Sequence, residues 1–105
     1  MTIGSFPRAV EIKTVALTST VEPIGSSNID FASTNITAAD VAFITANTSN
    51  ASVVAWATTA PSATLGHTVA IGQPLTVLGN YNVQKICLVS ATTLAATVSV
   101  TLSKY

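Results

Sequence analysis

Apolar and polar residues alternate with a period of two over short stretches of this chain, and most stretches end at a cluster of turn-forming residues. That period marks a half-buried β-strand, whose successive side chains point to opposite faces. The last stretch shows it most cleanly: between Thr97 and Ser103, Val98, Val100 and Leu102 alternate with Thr and Ser. Val83 to Val89 predicts another strand, with Ile86 and Leu88 on one face and Val83, Cys87 and Val89 on the other. Near the start, Val10-Glu11-Ile12-Lys13 alternates and then slips phase at Thr14-Val15-Ala16-Leu17, as a strand does at a β-bulge or where it changes partners. Glu22-Pro23-Ile24-Gly25-Ser26-Ser27-Asn28 predicts a loop.

Ile29, Phe31 and Ser33, set against Asp30, Ala32 and Thr34, predict a half-buried strand. Val41 to Ala46 and Ser52 to Thr58 flank Asn47-Thr48-Ser49-Asn50 and predict a β-hairpin. Their Val, Ile, Thr and Trp side chains lose rotamer freedom in a helix and pack well on a pleated sheet. A turn-rich connection, Pro61 to Gly66, leads to strands at Thr68 to Ile71 and Leu75 to Leu78, with Gly72-Gln73-Pro74 between them and a turn at Gly79 to Asn82. One short helix is expected around Thr37 to Val41, with Thr37 or Asp40 as its cap. Seven to eight short strands at about ten-residue spacing predict an all-β fold, an antiparallel β-sandwich or jelly roll. The strand order stays open, because jelly-roll and immunoglobulin-like topologies share this alternation.

At 105 residues the chain makes one domain. Charge divides it, since Arg8, Glu11, Lys13, Glu22, Asp30 and Asp40 precede the middle and only Lys85 and Lys104 follow. The expected organisation is an N-terminal arm and first strand over residues 1–25, then a β-sandwich body over 26–105. Charged residues are 8% of the chain at net zero, against about a quarter in typical domains. Recruitment of nucleic acid or anionic lipid therefore has no electrostatic source. No apolar run reaches the ~20 residues that span a bilayer, and Met1 to Arg8 lacks the order of a signal peptide, so synthesis in the cytoplasm is expected. Positive mean hydropathy, +0.58, argues for a folded chain.

Candidate chemistry is sparse. His67 has no second His, and neither Cys nor carboxylate near it in sequence, so no metal site is expected. Cys87 lies between Ile86 and Leu88, with nothing beside it to favour a thiolate, and reads as a small core residue. The four carboxylates are scattered through the first 40 residues and suggest no catalytic pair. No phosphate-binding or dinucleotide motif occurs, and no cofactor is expected. The sequons at Asn35, Asn47 and Asn50 read as accidents of a Ser/Thr-rich composition. Trp56 is either a sugar-stacking platform or, the preferred reading, core or subunit interface. Tyr81, between Asn80 and Asn82, is a candidate for exposed recognition and equally an ordinary turn aromatic.

Few charges and many strand edges leave little protection against association. The consistent solution is a homo-oligomer or a component of a larger shell, in which Ser/Thr-rich faces meet solvent. Ile3 and Phe6, ahead of Arg8, suit an arm that lies on a neighbour or adds a strand to it, or else a plain first strand. The interface candidates are thus Ile3, Phe6, Arg8, Trp56 and Tyr81.

From Asn47 to Leu102 the order is an Asn/Ser turn, an apolar strand carrying Trp56, a loop to Gly66, a strand, Gly72-Gln73-Pro74-Leu75, Asn82 to Ser90, and Val98-Ser99-Val100-Thr101-Leu102. This pattern resembles the small β-sandwich structural proteins of tailed bacteriophage particles, especially capsid decoration or cement proteins. The resemblance covers a little over half of the chain and rests on pattern and composition, so it carries no functional residue with it. It implies a non-enzymatic virion protein, made in the host cytoplasm and placed on the capsid surface. Its implied partners are itself, with a trimer favoured, and the major capsid protein. The alternative is a carbohydrate- or receptor-binding module of a fibre, tail or adhesin, with a glycan as partner.

Overall fold

A computed structural model describes residues 8–47, 52–55, 67–90 and 96–105. Among the described residues, eight strands and two short helices follow one another as β1 (Arg8–Leu17), β2 (Glu22–Pro23), α1 (Ser33–Ala38), β3 (Val41–Ala46), β4 (Ser52–Ala55), β5 (His67–Val69), β6 (Leu75–Leu78), α2 (Asn80–Gln84), β7 (Cys87–Ser90) and β8 (Ala96–Lys104). They form two four-stranded sheets, ordered β1-β8-β3-β6 and β2-β7-β4-β5. Every strand pair is antiparallel, and first pairs with last, second with seventh, third with sixth and fourth with fifth. A long hairpin wound on itself gives this order. It is the jelly-roll form of the expected all-β sandwich.

Alternation places the core between the sheets. Val98, Val100 and Leu102 of β8, Ile44 of β3 and Leu17 of β1 are buried from one side, and Leu88 of β7 and Val69 of β5 from the other, all in one cluster. Ile29, Phe31, Val83 and Ile86 close it from the connecting segments.

Several local expectations are corrected. β1 does not slip at Thr14, because Thr14 to Leu17 pair without interruption with Ser99 to Ala96, and the register shift lies between Ala9 and Glu11. The apolar residues themselves change face: Ile12 points outward, while Val15 and Leu17 point into the core. Ile29 to Thr34 is not a strand. Ile29 and Phe31 are buried as expected, but within a loop, and a helix begins at Ser33.

That helix lies earlier than Thr37 to Val41, and neither Thr37 nor Asp40 caps it; its N-cap, Ala32, has no side chain that can. The hairpin also fails as a unit. β3 and β4 exist, but β3 pairs with β6 and β8, whereas β4 pairs with β5 and β7 in the other sheet. β5 covers His67–Val69, and Ile71 forms only an isolated bridge to Ala46. Glu22–Pro23, placed in a loop, forms the two-residue β2. The turn at Gly79 to Asn82 is the start of α2, so Val83 and Gln84 are helical and the strand after them is Cys87–Ser90.

Both helices lie at the end of the sandwich where β1 begins and β6 and β8 finish. Gly79 makes the turn out of β6 with φ +92°, a backbone that side-chain-bearing residues rarely adopt. Its N–H donates to the Asp40 carbonyl at 2.7 Å, tying the two crossovers together.

Candidate interaction surface

The outward face of the β1-β8-β3-β6 sheet follows from the same alternation that fills the core. Thr97, Ser99, Thr101 and Ser103 alternate with the buried residues of β8 and so point away from it. Register then sets neighbours beside them. One row reads Ile12, Thr101, Phe43, Thr76 across the four strands. The next row reads Thr14, Ser99, Thr45. On the other side, Ser103, Val41 and Leu78 form a third row, in which Val41 and Ser103 are buried and Leu78 is 61% exposed. Hydroxyls on this face bond to each other: Thr14 Oγ1 and Ser99 Oγ lie 3.1 Å apart, and Asn47 Nδ2 donates to Ser99 Oγ at 2.7 Å.

No charged residue occupies these outward positions. All eight charges of the chain lie elsewhere among the described residues. Arg8 and Lys104 pair at one end of the sheet, with Asp40 just before β3. Glu11 and Lys13 share the inward-facing parity of Val15 at the β1 edge, Glu22 stands on β2, Asp30 is in the loop before α1, and Lys85 ends α2. Antiparallel sheets with a solvated face ordinarily show polar residues there. This face offers only hydroxyls, an amide and apolar side chains.

Among the exposed large apolar residues, Ile12 and Leu78 stand on opposite edge strands of this sheet. Val10, Leu78, Tyr81 and Tyr105 gather at the helix-bearing end, whereas Ile71 is at the other.

The end itself is held by polar side chains. Glu11 Oε1 accepts hydrogen bonds from the Ala32 N–H at 3.0 Å and from Asn35 Nδ2 at 2.8 Å, so β1 supplies the acceptor that α1 lacks at its start. The Asn35 amide above all, with the Ala32 N–H and the Lys13 ammonium 3.8 Å away, holds this carboxyl below the usual carboxylate range against the opposing effect of burial. At the far end of α1, Asn80 Nδ2 lies within 3.0 Å of the Ile36, Thr37 and Ala39 carbonyls. Gln84 Nε2 donates in turn to Asn80 Oδ1.

Of the interface candidates read from the sequence, Arg8 is exposed at the first position of β1. Tyr81 is 71% exposed on α2, with the Lys85 ammonium 5.6 Å from its ring centroid. Ile3, Phe6 and Trp56 lie outside the described residues. Arg8 and Tyr81 share the helix-bearing end but not the uncharged face. Ile12, Phe43 and Leu78 were hidden among ordinary amphipathic strands, and only register reveals that they share a surface.

Cys87 is corrected from a core residue to a half-buried one on the outward side of β7, and burial pushes its thiol pKa up. His67 is exposed at the start of β5. Among the described residues no group of three His, Cys, Asp or Glu is placed to hold a metal ion, and no helix is long and apolar enough to cross a membrane. No family model matches the sequence, and no curated protein or solved structure is significantly similar to it.

Proposed function

We propose that this chain is a non-enzymatic structural subunit of a virion, a decoration or cement protein that stabilises the capsid through contact with itself and with the shell. One observation carries the reading: a four-stranded outward face without a charge, in a molecule whose few charges sit at its ends and edges. Jelly rolls build viral capsid domains and also lectins and cupins, so the fold adds support only by analogy.

The mechanism is mass action. Apolar area removed from water contributes roughly 25 cal/mol per Å², less the cost of ordering the bound subunit. A subunit that binds the assembled shell and not its dissociated parts raises shell stability with concentration. The test is the melting of undecorated candidate phage heads, with and without added protein. A saturable rise in melting temperature is expected, and an unchanged transition at saturating protein contradicts the proposal.

Exposed Tyr81 favours a second reading, a carbohydrate- or receptor-binding module that stacks a sugar on that ring. Glycan-array binding lost in Tyr81→Ala supports it, and an array without hits removes it.

A further inference from the structure

We infer that β1 is the edge along which this chain pairs with a second copy of itself, antiparallel and about a two-fold axis through Ile12, so that two four-stranded sheets become one continuous sheet. The inference rests on the self-association part of the structural-subunit reading and names the element and register through which copies meet.

Hydrogen bonding shows which backbone groups of β1 are open. The Asn47 N–H donates to the Thr97 carbonyl, so the odd residues of β8 bond to β3 and the even ones, Val98, Val100 and Leu102, bond to β1. Their partners are Val15, Lys13 and Glu11, which turns the N–H and C=O groups of Ile12, Thr14 and Ala16 towards the open edge. Two bonds made from that edge agree: Asn28 Nδ2 donates to the Ala16 carbonyl at 3.0 Å, and the Ser90 N–H to the Thr18 carbonyl at 2.8 Å. Among the described residues no hydrogen bond reaches the edge-facing backbone groups of Ile12 or Thr14. The register shift between Ala9 and Glu11 bounds this open stretch on one side and Asn28 bounds it on the other.

Charge selects the occupant and the register. Charged side chains on an edge ordinarily turn other strands away. Glu11 and Lys13 lie two residues apart on one face of β1, and this pattern is its own complement when the strand runs antiparallel to itself about Ile12. Glu11 then stands opposite Lys13 of the second copy, and the two-fold repeats the pair. Moving the centre by one residue sets Glu11 on Glu11 or Lys13 on Lys13, and like charges directly opposite are destabilising. A foreign strand needs an acid two residues before a base to match this edge, whereas a second copy brings them by symmetry.

The backbone parity favours the same register. Ile12 forms the hydrogen-bonded pair with itself, so Glu11 and Lys13 form the pairs without hydrogen bonds, in which Cα atoms are about 4.5 Å apart and side chains are closest. Glu11 Oε1 is engaged by the Ala32 N–H and Asn35, while Oε2 stands 3.8 Å from the Lys13 ammonium of its own strand, beyond hydrogen-bond distance. That second oxygen is the one a facing ammonium would take. Ile12, 62% exposed in the single molecule, meets its own copy on the other face of the joined strands.

The experiment has two parts, with thermal melts of every variant to confirm folding. Sedimentation velocity over a wide concentration range compares the wild type with Lys13→Glu and Lys13→Arg. Wild type should self-associate, Lys13→Arg should keep the association, and Lys13→Glu should weaken it roughly tenfold or more, because two attractive cross-strand pairs become repulsive. Oxidative cross-linking in a Cys87→Ser background then compares Ile12→Cys with Thr14→Cys. Ile12→Cys should give a covalent dimer, since its Cα atoms lie about 5.5 Å apart across the axis, within disulfide reach. Thr14→Cys should not, because its two copies are separated by about 14 Å along the strands. Association that Lys13→Glu leaves unchanged, or cross-linking no better from Ile12→Cys than from Thr14→Cys, overturns the inference and leaves the structural-subunit reading standing. A wild type that stays monomeric yet decorates a shell overturns the inference alone. A monomer that ignores every shell overturns both.

Discussion

Asn80 supplies from α2 what α1 lacks at its own C-terminus. The last carbonyls of a helix have no partner within it, and here one amide group stands against three carbonyls. Removing the donor leaves partly buried acceptors unpaired, which costs about 1–3 kcal/mol. Asn80→Ala should lose that much in urea unfolding. Asn80→Asp, the same size but with an oxygen where the donor stood, should lose at least as much. A neutral Asn80→Asp contradicts the assignment. Glu11 plays the matching part at the start of α1, with a titratable group. Its folded pKa is lowered, so its contribution is fully present above the unfolded value of about 4.3 and fades as pH falls through the lower folded value. Wild type should therefore lose stability more steeply than Glu11→Gln on acidification below about pH 4; parallel acid limbs would show that the contact contributes nothing.

β8 is the element on which the most structure depends, since it lies between β1 and β3 and contributes Val98, Val100 and Leu102 to the core. Leu102→Ala should cost about 2–5 kcal/mol as a buried truncation, whereas Ile12→Ala on the opposite face should stay within about 0.5 kcal/mol; denaturant midpoints distinguish them, and similar losses at both positions would overturn the assignment of faces. β8 was also the most legible element in the sequence, because between Thr97 and Ser103 one of its faces is wholly apolar and the other wholly Ser and Thr. Before α1 the pattern reported burial correctly and structure less well. Ile29 and Phe31 are buried and Asp30 and Ala32 exposed, without a ladder to make them a strand. Val41 to Ala46 and Ser52 onward were legible as strands, but a local turn signal does not say whether the next strand pairs back or crosses to the other sheet. α2 has only five residues, too few to show a helical period, and follows a glycine whose positive φ is invisible in sequence. Of the uncharged face only the β8 part was legible, because Ile12, Thr101, Phe43 and Thr76 come from four strands that only register aligns.

For the whole molecule, winding first strand on last means that the pairs in both sheets join distant parts of the chain. Such topologies close large loops before they gain contacts, and folding in milliseconds to seconds is expected, about the range of all-β domains. Stopped-flow refolding checks this, and microsecond folding would be inconsistent with the order of the sheets. The same winding leaves β1 and β6 as open edges of the uncharged face, with exposed Ile12 and Leu78 upon them. The decisive measurement is the solution mass of the purified chain by light scattering, alone and after mixing with candidate capsid shells. The account predicts a mass above one chain that rises with concentration, and co-sedimentation with the shell. A monomer at every concentration that leaves the shell bare would contradict it.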